Sequence, residues 1–301
     1  MSNTKPPNKR PLSSAWDNNP FAAPAAPVED RLSPDGTLAA DPNKLAAGRG
    51  FAWWSAGWHL FTNAPGTWIV ISAVMALINF GLALIPFIGA VANSLLFPVF
   101  DASLMRGSHD LESGKRLTFG HLFTGFQDHL GRLLAIGAIY LIGMIAIFII
   151  AGLFGSVYAV AASNVATVSP KAPALLGGIL FGFLMGALLA IPLMMAIWFA
   201  PALIALHDLP ALEAMKLSFR GCLRNLLPFL LYGLVPIVLT ILIALVFGLL
   251  SPQRQPVEIF TTTMLTLGWL MVVWVLFWIV ITPFLFCSIY ASYRDIFISK
   301  H

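Results

Sequence analysis

An all-α membrane protein with six transmembrane helices, in three units of surface helix plus transmembrane hairpin, is the fold this sequence predicts. Three observations predict it. Of 301 residues, 58% are hydrophobic and only 10% charged, whereas a soluble domain carries about 25% charged residues. The mean hydropathy of +0.85 agrees. Long apolar runs dominate from residue 67 onward, and the basic residues fall almost wholly between alternate runs.

Residues 1–48 are rich in Pro, Ala, Asn and Asp, carry both signs of charge and show no apolar periodicity. Such a stretch cannot bury enough surface to offset its ordering entropy, and reads as a disordered cytoplasmic tail ahead of a membrane domain over 49–297. It holds no apolar run of even seven residues, so no secretory signal is read there. A docking segment over 18–27 is the alternative to a bare tether.

A spanning helix needs about 20 predominantly apolar residues. Six runs qualify: 67–84, 87–105, 130–154, 175–206, 226–250 and 260–289. The first two are separated only by Ile85 and Pro86, which predicts a hairpin with a very short turn. Asp101 and Arg132 fall near span ends, where a charge is expected to snorkel at little cost. Cytoplasmic loops of membrane proteins carry the excess of Lys and Arg. Fifteen of the 17 basic residues lie in the tail, the second and fourth connections and the C-terminus; Lys171 and Arg254 are the other two. Both termini are therefore expected on the cytoplasmic side.

Each cytoplasmic connection holds an amphipathic stretch. Phe119, Leu122, Phe123 and Phe126 follow the spacing of one helical face. Phe51, Trp54, Trp58 and Phe61, beside Trp53, do so before the first span. Before the fifth, Leu212, Met215, Phe219 and Cys222 oppose Lys216, Arg220 and Arg224. Apolar on one face and basic on the other is the pattern of a helix lying among lipid headgroups; the alternative is a plain extension of the following span. Repetition supports three units near 49–110, 111–208 and 209–297. HLFT occurs at 59–62 and 121–124, and Pro98, Pro201 and Pro283 each stand near the cytoplasmic end of an even-numbered span.

Gly57-Trp58-His59-Leu60-Phe61 with Pro65 and Trp68, FGHLFTGF at 119–126, FAPALIALHDLPALEAMKLSFRGCLRN at 199–225 and YASYRDIF at 290–297 carry a resemblance. Over residues 50–297 the chain resembles an uncharacterised proteobacterial family of multi-pass inner-membrane proteins. More distantly it is similar to the membrane domain of some glycerophosphodiester phosphodiesterases, whose hydrolase domain these 301 residues lack. The resemblance implies six helices in an inner membrane and brings no catalytic residue.

No spacing in the chain carries a mechanism: HExxH, CxxC, a Walker loop, a GxGxxG after a strand and a GxSxG elbow are all missing. Cys222 and Cys287 show no metal or redox spacing. Ser108-His109-Asp110 has the residue types of a triad, but sequence neighbours cannot converge on one reacting atom, and a capped turn is the plain reading. His121 and Asp128 share a face of the expected helix but stand about 10.5 Å apart along it, too far to ligate one metal. The six histidines all fall on the cytoplasmic side, outside the spans. No cofactor and no nucleic-acid partner are expected.

Inside the spans the polar features are Asn79 and Asn93, each seven residues from Pro86, which are expected to share one inter-helix space as structural glue. Gly178, Gly182 and Gly186 recur at four-residue spacing and predict close helix packing, within the chain or at a dimer face. The sequence points to a non-enzymatic membrane scaffold or accessory subunit. Its expected partners are the bilayer, anionic headgroups contacted by Lys216, Arg220 and Arg224, and a membrane-protein partner. The alternative class is a transporter or channel for apolar or lipid-like cargo, suggested by Pro192, Pro201 and Pro236.

Overall fold

Where the apolar runs lie, helices form. A computed structural model describes residues 37–165, 171–250 and 256–299, all within the compact unit Gly36–His301. The segment 18–27 and the tail over 1–36 lie outside the described residues. The helices are α1 (Arg49–Thr62), α2 (Pro65–Ala83), α3 (Ile88–Glu112), α4 (Thr124–Gln127), α5 (Leu130–Val165), α6 (Lys171–Ile197), α7 (Ala200–His207), α8 (Ala211–Arg224), α9 (Leu226–Leu250) and α10 (Pro256–Phe297). Among the described residues six helical stretches are long and apolar enough to cross a membrane: Pro65–Ala83, Ile88–Glu112, Leu130–Asn164, Ala174–His207, Leu226–Ile243 and Val275–Phe297. The all-α class and the six spans read from the sequence agree with the structure.

The bundle has a closed end and an open end. At the closed end α1, α7 and α8 gather around the last turns of α3 and α10. There Trp53, Phe199, Leu203, Tyr293 and Phe297 are fully buried. Toward the open end α5, α6 and α9 present Ile149, Phe183, Leu184 and Leu239 outward. So much exposed apolar surface is tolerable only against hydrocarbon.

The hairpin turn comes where Pro86 predicts it. α2 ends at Ala83, and Phe87 takes a left-handed φ of 60° before α3 starts. A side chain at Gly89 would collide with the carbonyl of Leu82, so only glycine lets the two helices cross this closely.

Four expectations are corrected. Residues 37–48 are not tail. The final carbonyls of α10 have no partner within the helix, and this segment supplies donors: Ala39 N to Phe297 O at 2.8 Å and Asn43 N to Ile296 O at 2.7 Å. The Asn43 amide adds bonds to Asp295 O and Ile298 O. Second, the stretch 119–126 is a 3-10 turn, Phe119–Phe123, followed by the single turn α4. Thr118 caps it through His121 Nδ1 at 2.9 Å, and Gly125 is pressed onto the Val99 carbonyl of α3 while its N–H bonds Ser103 Oγ. Third, the fourth span breaks between α6 and α7 near Pro201, which has no N–H to continue the ladder. Ser218 of α8 fills the gap, donating to Met195 O at 2.7 Å and accepting from Phe199 N at 3.0 Å. Fourth, Ser108-His109-Asp110 is not a turn but lies inside α3.

Candidate functional site

The closed end is held by carboxylates. Asp295, in the last turn of α10, accepts Arg49 Nε at 3.0 Å and Trp53 Nε1 at 3.0 Å, with Arg49 Nη2 also on the same oxygen. It is 2% exposed, and a buried carboxylate needs such donors to remain charged without heavy cost. One turn away, Glu112 of α3 accepts Tyr290 OH at 2.8 Å and pairs with Arg294. Asp110 pairs with Lys115 and His121. Asp208, left-handed at the end of α7, meets Arg132 and His129. Asn225 ties the start of α9 to the strap, accepting Leu45 N and donating to Asn43 O.

These pairings correct several site readings. His121 bonds Asp110, not a face shared with Asp128, which pairs with Arg106 at 2.7 Å. Asp101 does not snorkel: it is 6% exposed, inside the packed part of α3. His109 and His207 lie within two of the span-forming helices, though at the closed end. The polar atoms Trp68 Nε1, His207 Nε2 and Tyr293 OH are buried with no hydrogen-bond partner among the described residues. Among those residues no group of three or more His, Cys, Asp or Glu is arranged to hold a metal ion.

The amphipathic helices turn their apolar faces into the protein, not toward headgroups. α8 buries Ala214, Met215, Ser218, Gly221 and Cys222 against α6, α7 and α10, while Leu212, expected on that face, is exposed. Lys216, Arg220 and Arg224 stand exposed opposite, and Arg224 Nη1 lies 3.5 Å from Asp41. Burial pushes the Cys222 thiol up to about 12. In α1 the buried face is Gly50, Trp53, Gly57, Leu60 and Phe61, with Phe51 and Trp58 left outward.

Asn79 and Asn93 do not pair. Asn79 donates to Met75 O of its own helix at 2.9 Å, and Asn93 is exposed. A carbonyl one turn back is always within reach in a helix, so the amide has no need to cross to α3. Gly178 and Gly182 lie against Gly155 and Ala151 of α5, and Gly186 faces Ala151 as well, so the stripe packs α6 within the chain.

A second feature was not read from the sequence. Between α6 and α9 lies a cleft of about 760 Å³, open on one side, bounded by Trp54, Met194, Trp198, Phe229, Tyr232 and Leu285, among others. α9 leans on α1 and touches the end of α8, and the gap separates it from α6. Trp54 and Tyr232 stack with centroids 4.6 Å apart, and Trp54 Nε1 donates to Tyr232 O. The available signal was the run of tryptophans at the closed ends of the helices, a place where indole rings collect at the membrane boundary.

A helical membrane bundle with paired carboxylates at one end and hydrocarbon-facing helices at the other is the class these features define. Residues 113–296 match a domain of unknown function, DUF7847, and the chain belongs to that family. It is similar to a probable inner membrane protein of Burkholderia thailandensis, 30% identical over 264 residues that cover 84% of this chain and 93% of the relative. No solved structure matches. The chain is thus a multi-pass inner-membrane protein.

Proposed function

We propose that this chain is a non-enzymatic scaffold or accessory subunit, with its closed end and both termini in the cytoplasm. The observation that carries the reading is the closed end itself. Five helices and the 37–48 strap lock there through Asp295, Glu112 and Asn225, while Lys216, Arg220 and Arg224, the last beside Asp41, stand exposed toward anionic headgroups or a membrane-protein partner. A rigid body with one basic outward face is suited to holding something in place. Affinity purification in mild detergent, with protein and lipid identification, tests it. A protein recovered with the wild type should be lost from a variant with Lys216→Glu, Arg220→Glu and Arg224→Glu that still accumulates in the membrane. Identical recovery from both overturns the reading.

The orientation has its own test. Alkaline phosphatase fused after Ala166 or Gln255 should be active, and fused at the C-terminus inactive; activity at the C-terminus refutes it. A second reading, a carrier of apolar or lipid-like cargo, is favoured by the α6/α9 cleft. The distant likeness to the membrane domain of glycerophosphodiester phosphodiesterases stays within this proposal and carries no catalytic residue over.

A further inference from the structure

We infer that the α6/α9 cleft is a binding site for one anionic phospholipid of the cytoplasmic leaflet, its acyl chains along the cleft and its phosphate at the Arg224 end. The inference rests on the inner-membrane reading with a cytoplasmic closed end, and not on the scaffold role.

Length is the first argument. The lining residues run from Ala187 on α6 to Trp198 just past its end, eleven steps, or about 16 Å at 1.5 Å per residue. That is about half of a 30 Å hydrocarbon core, so the cleft is one leaflet deep. Access is the second. The cleft is open on one side, and an acyl chain of the surrounding bilayer can lie in it without displacing α6 or α9.

The lining suits hydrocarbon. Ile191, Phe229, Pro236 and Leu285 give fixed apolar walls, and Met194 and Met195 can reshape around an irregular occupant. Tyr232, the phenol among them, already spends its hydroxyl on Ser288 at 2.6 Å, so the wall offers no unpaired phenol to hydrocarbon.

The closed end of the cleft suits a headgroup. Trp54 and Trp198 flank it, and indoles settle at headgroup depth. Cys222 and Leu226 close it, and Arg224 belongs to the same short segment, exposed at the end of α8. Lys216 and Arg220 lie on the face of α8 turned away from Cys222 and add to the positive field at this end of the protein, three cations against Asp41 and Glu213 nearby. Such a stripe prefers an anionic headgroup to a zwitterionic one.

Native mass spectrometry of the full chain, delipidated in mild detergent and given back dioleoyl phosphatidylglycerol or dioleoyl phosphatidylethanolamine, tests this. One phosphatidylglycerol should bind per chain at saturation. A side chain at Gly233, which lines the cleft, meets no atom within 4 Å. Gly233→Phe should therefore fill the cleft without breaking α9 and lower lipid affinity about tenfold or more. Ile191→Trp fills it from the opposite wall and should do the same. Gly81→Phe, at a position equally open but on α2, should leave binding unchanged. Arg224→Gln should remove the preference for phosphatidylglycerol while lipid still binds. Open-ended adducts, identical in wild type and both filled variants, overturn the site and leave only ordinary surrounding lipid. Co-purification of a protein that both filled variants expel overturns it too, in favour of a helical occupant. Loss of the lipid site with the partner of the basic face still captured defeats this inference alone and leaves the scaffold reading standing.

Discussion

At the closed end, α3 and α10 bury Leu104, Met105, Cys287 and Tyr293, and every carboxylate of the last turns finds a cation or an N–H. α5 also packs on α3 and α6 on α8, but α5 and α6 pack most on each other, and there they hold together through small residues, Gly155 against Gly178 and Ala151 against Gly182. The first region is organised as a soluble core, with hydrophobic burial and hydrogen bonds that specify one geometry. In the second, lipid is as apolar as leucine, so burial gains nothing and close backbone packing must hold the pair. One chain thus uses two kinds of cohesion, and changes in the two regions should fail differently.

The largest contrast is expected at Asp295. Asp295→Ala removes the acceptor of Arg49 and Trp53, and stranding buried donors beside a lost carboxylate costs about 3 kcal/mol. Thermal unfolding in detergent, followed by tryptophan fluorescence, should show it. Leu184→Ala, on the lipid side of α6, should barely move the same midpoint. Equal losses would erase the distinction between the regions.

Next in size is Gly178→Leu, whose side chain meets Gly155 O and Ala159. Overpacking of this kind costs about 1–3 kcal/mol. Hydrogen exchange should quicken over 144–190 while 98–108 stays protected; simultaneous loosening of both would mean that they form one cooperative unit. Ser218→Ala takes the hydroxyl out of the α6/α7 break and should cost about 1 kcal/mol, seen in the same exchange experiment at Phe199.

The smallest effect is expected at the amides. Asn79→Leu and Asn93→Leu should each change stability by about 0.6 kcal/mol or less and should be additive, since Asn79 bonds its own helix. Coupling between them would show that the hairpin closes on itself in the membrane. Cys222, 4% exposed with its thiol raised to about 12, should resist water-soluble maleimide at neutral pH until the closed end is denatured.

The spans were legible because hydrocarbon tolerates few residue types, and runs of twenty leave a plain signal. Their closed ends were not, since charges there read as boundaries. α3 continues through Arg106, Asp110 and Glu112, and α10 through Arg294 and Asp295, because those charges find partners from distant segments. No hydropathy reading sees Glu112 meeting Arg294 across 182 positions. The packed face of α1 was legible in principle. Gly50 and Gly57 flank Trp53 on one side, and each lies against backbone of another helix, at Pro228 and Ser288. Glycines seven apart mark the docking face better than the larger aromatics Phe51 and Trp58 did. The glycine stripe of α6 signalled close packing and left open whether within the chain or at a dimer face, whereas the cleft was hidden, because an apolar wall facing lipid and one facing a gap have the same composition.

The strap has a consequence for how the protein is made. Thr37 meets Ser299, 262 positions later, and Asn43 caps α10, a helix that leaves the ribosome long after it. Those early residues emerge with nothing to bind and must wait in solution while six crossings are threaded. Only then can the closed end be stitched, beginning to end, like a drawstring. On the proposed orientation, quality control on the cytoplasmic side would meet a loose strap on any chain in which α10 is missing or misplaced, so docking of the strap would report that α10 is in place.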